Sequence, residues 1–174
     1  MRQIQEQAAA SRVEQWSGRV AELLGRTPRG LRDVTVFDAA GQPSVIRVAS
    51  VVDGKPFPTL FWLVDPAINL AIDRLEAAGV IAAMQAEVDG SSAMQAAMAA
   101  DHERHRALRA SFLTADEKCF LQAQGMMAAL DSRGIGGIAE PHRIRCLHTW
   151  YAAHLVEPNT IGAWVAERLS EGET

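Results

Sequence analysis

The sequence is poor in the features that commit a chain to a specialised environment. Of its 174 residues only Cys119 and Cys146 are cysteines, and aromatics make up 6%. Two cysteines do not staple a small secreted scaffold, so the fold has to rest on its own core. No basic, apolar and small-residue leader heads the sequence, and the longest apolar runs, such as Leu60 to Val64, fall far short of the roughly 20 residues that cross a bilayer. A cytoplasmic protein with no membrane insertion is expected. Positive charge is scarce as well: 17 Lys and Arg against 21 Asp and Glu give a formal charge of -4. Proteins that wrap nucleic acid carry the opposite balance, because they replace counterions along the phosphates, so no nucleic-acid partner is expected.

What is present is an ordinary globular composition, 48% hydrophobic and 22% charged, in a length suited to one domain. From Ile4 to Leu24, Val13, Trp16, Val20, Leu23 and Leu24 recur at helical spacing, and Gly25 follows as a stop. VTVF, SVIRVASV and FPTLFWLV are short β-branched or aromatic runs separated by the turn-rich DAAGQP and VDGKP. They predict a three-stranded antiparallel meander. Asp65-Pro66 is a side-chain cap with Pro at the first helical position. Further helices are expected over Val80 to Val88, from Ser91 or Ser92 to Phe112, from Thr114 through Leu130, from Arg143 to Leu155, and after Asn159-Thr160. The prediction is a single α+β domain, a small three-stranded antiparallel sheet packed by about six helices. Its parts are an amphipathic helix over 1–25, a meander over 33–64 and a helical part over 65–170.

Cysteine and histidine are the first candidates for chemistry. His102 and His105 are three apart on one predicted helix, and Cys146 and His148 lie on a later one, so two helices offer four ligands suited to tetrahedral zinc. Helical positions two apart point nearly opposite ways, however, and Cys146 and His148 cannot share a metal unless the helix begins after them. No metal is therefore expected, with Cys146 packed as a small hydrophobe, His148 or His154 bonded to a backbone carbonyl, and His102 solvated.

The second constellation is SRGIGGIAEPHRIR. Arg133, Gly134, Gly136 and Gly137 precede a predicted helix that carries Arg143 and Arg145, a pattern in which backbone N–H groups and forked guanidinium donors hold an anion. A phosphorylated small molecule or polyphosphate is the ligand this predicts. The stretch matches neither the Walker loop nor the dinucleotide fingerprint. The third is Asp101 with His105, four apart, where a carboxylate fixing an imidazole would suit a phosphoester hydrolase. Arg104 and Arg109 compete for Asp101 and would make it a structural ion pair instead. The Trp16 stripe of the N-terminal helix is a surface for a protein partner.

The order of PFPTLFWLVDP (Pro56 to Pro66), RLEAAGVI (Arg74 to Ile81), RGIGGI (Arg133 to Ile138), RIRCLHTWYAAHL (Arg143 to Leu155) and PNTIG (Pro158 to Gly162) resembles a bacterial family catalogued as domain of unknown function 501. Genes of that family often sit beside a small septum-formation protein and an exopolyphosphatase, which implies cell division or phosphate metabolism as the setting. Many members carry a Cys-Pro-Cys-Gly turn where this chain has Asp38-Ala39-Ala40-Gly41, and keep the Cys-Leu-His found here as Cys146, Leu147 and His148. The resemblance implies a metal site in those members, built from Cys-x-Cys and Cys-x-His. Here two thiolates are missing, with Asp38 left as a substitute ligand, and the loss weakens a structural zinc site drastically.

Overall fold

β-branched and aromatic residues build the sheet. In the computed structural model, which describes the backbone of residues 2–171 and the side chains of residues 4–171, β1 (Leu31–Phe37), β2 (Pro43–Val48) and β5 (Phe61–Leu63) pair antiparallel in the order β1-β2-β5. Val45 lies opposite Val36 and Leu63, and Ile46 opposite Val34 and Trp62. Between β2 and β5 the chain folds a separate hairpin, β3 (Val51–Val52) with β4 (Lys55–Pro56). Asp53 and Gly54 both take positive φ there, 51° and 71°, as a tight two-residue hairpin turn requires.

Successive residues of a strand face opposite ways, and this central strand uses both faces. Val45, with Phe61 and Leu63, joins the larger core with Ile72, Met98, Leu147 and Trp150. Ile46, with Val34 and Val48, packs under α1 (Arg2–Leu24), whose Val20 is fully buried and whose Trp16 lies 5.5 Å from the Phe37 ring. The Trp16 stripe thus has an occupant within the chain. The sheet is a middle layer, with α1 on one side and the remaining large helices on the other.

The other helices are α2 (Pro66–Ala77), α3 (Val80–Asp89), α4 (Ser92–Phe112), α5 (Ala115–Ala123), α6 (Met127–Asp131), α7 (Leu147–His154) and α8 (Thr160–Glu171). Local caps fix most of their starts. Asp65 accepts from the amides of Ala67 and Ile68, Ser91 from Met94, and Asn159 from Gly162, while Thr114 and Glu117 form a reciprocal capping box.

Two expected helices are shorter than their apolar spacing suggests. The Thr114 to Leu130 stretch breaks at Gly125, φ 65°, where the Met126 amide reaches back to the Leu121 carbonyl and closes α5 before α6 begins. The Arg143 to Leu155 helix starts only at Leu147. Gln85 on α3 donates to the His142 carbonyl and accepts from the Ile144 amide, both at 2.9 Å, so this segment takes its hydrogen bonds from a side chain. Among the described residues eight α-helices pack around the small antiparallel sheet of an α+β fold, the break at Gly125 adding one to the count.

Candidate functional site

The buried face of α4 is polar along much of its length. Met98 is followed there by Asp101, His102, His105 and Arg109, all buried. Three of these groups tie loops to the helix. Asp101 accepts from the Thr160 amide at 2.7 Å, capping α8, and also pairs with Arg104. His102 accepts at Nδ1 from the Ile135 amide at 3.0 Å. Arg109 donates to the carbonyls of Pro58 (3.0 Å), Leu130 and Arg133 (2.6 Å). PFP, RGIGGI and PNTIG, far apart in sequence, are thereby fastened to one helix.

Burial decides the charge of this spine. It lowers His102 to about 4 and His105 to about 3, so both rings are neutral at pH 7, and it lowers Arg109 to about 10. His102 is therefore a core group, 1% exposed, rather than the solvated residue its polarity predicts. Asp101 and His105 are not brought together as a catalytic pair. Asp101 spends its oxygens on Arg104 and Thr160, and His105 meets the edge of Phe61 with ring centroids 5.9 Å apart.

The glycine turn packs tightly against this spine and its neighbours. A Cβ on Gly134 would lie 2.1 Å from His102 Nδ1, one on Gly136 2.5 Å from Thr149 Oγ1, and one on Gly137 3.2 Å from Pro58. The amides of Gly134, Ile135, Gly137 and Ile138 all donate within the fold. Arg133 is half-buried, with Nη1 3.5 Å from the Gly137 carbonyl. Beyond the turn, Arg143 and Arg145 are exposed while Ile144 is buried, and Glu140 lies 3.7 Å from Arg143.

A second cluster forms where α7 begins. Cys146, just before the helix, is extended (φ -153°, ψ 124°) and gives it no side-chain cap. Glu76 of α2 supplies the acceptor instead, taking the Leu147 amide at 2.7 Å. Because the backbone turns between Cys146 and His148, their side chains converge. Cys146 Sγ lies 3.5 Å from His148 Nδ1, and the same nitrogen lies 3.4 Å from Glu76 Oε1. Donor atoms of Glu76, Cys146 and His148 all fall within 4.8 Å of one another. On the far edge of the ring, His148 Nε2 lies 3.3 Å from Asp73 Oδ1 and 3.4 Å from the Asn69 carbonyl. Burial, with the Glu76 carboxylate close by, pushes the Cys146 thiol up, so the sulfur is held as a thiol in the absence of a cation.

This set fits a borderline-soft divalent ion. Tetrahedral zinc with bonds of about 2.3 Å to sulfur and about 2.0–2.1 Å to nitrogen or oxygen separates S from N by about 3.6 Å and N from O by about 3.3 Å. The two separations found here sit on those edges. Glu76, rather than Asp38, completes the trio, and Asp38 turns its carboxylate onto the amides of Ala40 and Gln42 in its own turn. Sequence reasoning passes over Glu76 and Asp73 because they look like ordinary solvated charges of α2; the available sign is their spacing of three, which puts them on one helix face.

No curated protein and no solved structure matches the chain. A family's sequence pattern does match, and it spans the sheet, the α4 spine and the cluster at the start of α7. On that match over residues 34–167 the chain belongs to the family described as protein of unknown function (DUF501).

Proposed function

We propose that the chain is a metal-binding protein that holds a zinc-class divalent cation between α2 and the start of α7. Cys146 Sγ, His148 Nδ1 and Glu76 are its donors. The observation that carries this reading is the convergence of a thiol, an imidazole nitrogen and a carboxylate at separations of 3.5 and 3.4 Å. Asp73 supports it from outside, because a carboxylate on the other ring nitrogen of a ligating histidine fixes the ring and raises its basicity. Three protein donors leave a fourth position for water or an anionic oxygen, where a bound cation supplies Lewis acidity.

The test is titration of metal-stripped protein with cobalt(II), read by absorbance. One equivalent should give the thiolate-to-cobalt charge-transfer band and tetrahedral ligand-field bands, with the thiolate band missing in Cys146→Ser. Absence of any thiolate band at stoichiometric cobalt overturns the reading. Metal-dependent phosphoester turnover, abolished in Cys146→Ser, would extend it to hydrolysis.

A phosphorylated small molecule or polyphosphate is a second reading, favoured by one observation. Alternating burial along residues 143–146 leaves Arg143 and Arg145 exposed on the same side of the segment, two forks one step apart. Pyrophosphate should then raise the thermal midpoint, and Arg143→Gln with Arg145→Gln should remove the rise; an unchanged rise rules those arginines out.

A further inference from the structure

Away from α7, a cleft of about 1120 Å³ opens between the N-terminal half of α1, the β1–β2 face of the sheet and the junction of α4 with α5. That is large for a ligand pocket, typically about 300–1,000 Å³. Its walls are mixed. Ala8, Ala9 and Val13 of α1 face Val48 and Phe112, and the hydroxyl residues Ser50 and Thr114 lie among them.

Charge within the cleft is mostly paired. Arg12 forks onto Asp33 at 2.8 and 3.0 Å, and Arg32 meets Glu117 at 3.0 Å. Arg47 differs. Its guanidinium lies 4.1 Å from the centroid of the Phe112 ring and, among the described residues, makes no hydrogen bond and no ion pair. Burial lowers its pKa, with Arg32 and Arg12 acting in the same direction and Asp33 and Glu117 opposing. A guanidinium carries five N–H donors in a fixed fork, and stacking on an aromatic face holds that fork in place without using any of them.

We infer that this cleft is a binding site for a small amphipathic anion, whose forked carboxylate or phosphate head is received by Arg47 and whose apolar body lies along Ala9, Val13 and Phe112. The lining sets Arg12, Arg32 and Arg47 against four carboxylates, Asp33, Glu117, Glu6 and Glu14, so the cleft as a whole is not positive, and it is Arg47 that presents an unpaired fork. Glu6 and Glu14 of α1 border the same cleft and are exposed. This balance selects a head of low charge over a polyanion. The α1 wall precedes the residues that match the family, whereas Arg47 and Phe112 lie inside them. The site is separate from the Glu76, Cys146 and His148 cluster, so either can fail without the other.

The experiment is isothermal titration of the full chain with octanoate, octyl phosphate, octanol and inorganic phosphate. Saturable binding is expected for octanoate or octyl phosphate, whichever head fits, and not for octanol or inorganic phosphate. Arg47→Met keeps the packed stem and removes the fork, and should weaken binding at least about tenfold. Val13→Trp fills the cleft from α1 without altering any charge and should do the same, which keeps the test decisive if Arg47→Met unfolds. The inference is overturned by no binding of either amphiphile, by octanol binding equally well, or by affinity that survives both substitutions.

Discussion

The Ile135 amide donates to His102 Nδ1 across 3.0 Å, joining the glycine turn to the middle of α4. The bond settles the tautomer, because an accepting Nδ1 leaves the ring proton on Nε2. It also brings the turn so close that Gly134 has no room for a side chain. Gly134 has φ -91°, so it is the collision with His102, and not a left-handed backbone, that calls for glycine here. Gly134→Ala places a methyl 2.1 Å from the ring nitrogen and should destabilise by roughly 1–3 kcal/mol or more. Urea denaturation measures it. If His102→Ala fails to restore part of the loss in the double variant, the collision is not the cause.

Acid should unfold this protein through the same helix. His102 and His105 titrate near 6.5 in an unfolded chain, but only at about 4 and about 3 in the folded one. Their folded values are depressed, so as pH falls below about 6.5 the unfolded state takes up protons first and stability drops. The contribution is complete above pH 6.5 and disappears by the folded values. It should amount to roughly 3–5 kcal/mol for each histidine. His105→Leu removes one of the two uptakes, and its stability measured by urea between pH 7 and 4.5 should fall less steeply. Parallel pH profiles for the two proteins would exclude His105 as a contributor.

Much of the fold is legible because its signals are local. Asp65, Ser91, Thr114 and Asn159 each bond an amide two or three positions ahead, so a short window reveals each helix start. The Asp53-Gly54 turn is equally self-contained. The segment before Leu147 is different. Its apolar spacing reads as helix, yet Gln85, 57 residues from His142 and 59 from Ile144, holds it out of one. That tertiary contact decides the site as well. A helix through Cys146 and His148 would have turned them apart, whereas an extended Cys146 brings them to 3.5 Å. Residue type alone marks Cys146 and His148 as candidates; no local signal shows that Glu76 meets Leu147 across 71 positions.

Arg109 should prove indispensable to the loops it gathers. Arg109→Met keeps the aliphatic stem but removes the donors for the carbonyls of Pro58, Leu130 and Arg133. Each unsatisfied buried acceptor costs about 1–3 kcal/mol, so a loss on the order of 3 kcal/mol or more is expected. Arg109→Lys should recover only part, since an ammonium lacks the planar fork that spans separate acceptors. Chemical denaturation of both variants is the measurement. Equal stability of Lys and Arg at this position would show that charge, and not the fork, is what matters.

Glu76 separates the structural role of its cluster from the proposed metal role. As a cap it needs only an oxygen toward the Leu147 amide, which the Gln side chain also provides. As a ligand beside Cys146 and His148 it needs the negative charge and the basicity of a carboxylate. Glu76→Gln should therefore leave the urea midpoint of metal-free protein nearly unchanged while weakening cobalt binding by roughly 10-fold or more. Glu76→Ala removes both functions and should lower the metal-free midpoint too, by about 0.5–2 kcal/mol for a lost helix cap. If Gln and Ala variants bind cobalt as tightly as the parent, Glu76 is a cap and nothing more, and the cation, where it binds, rests on Cys146 and His148 with a different third donor.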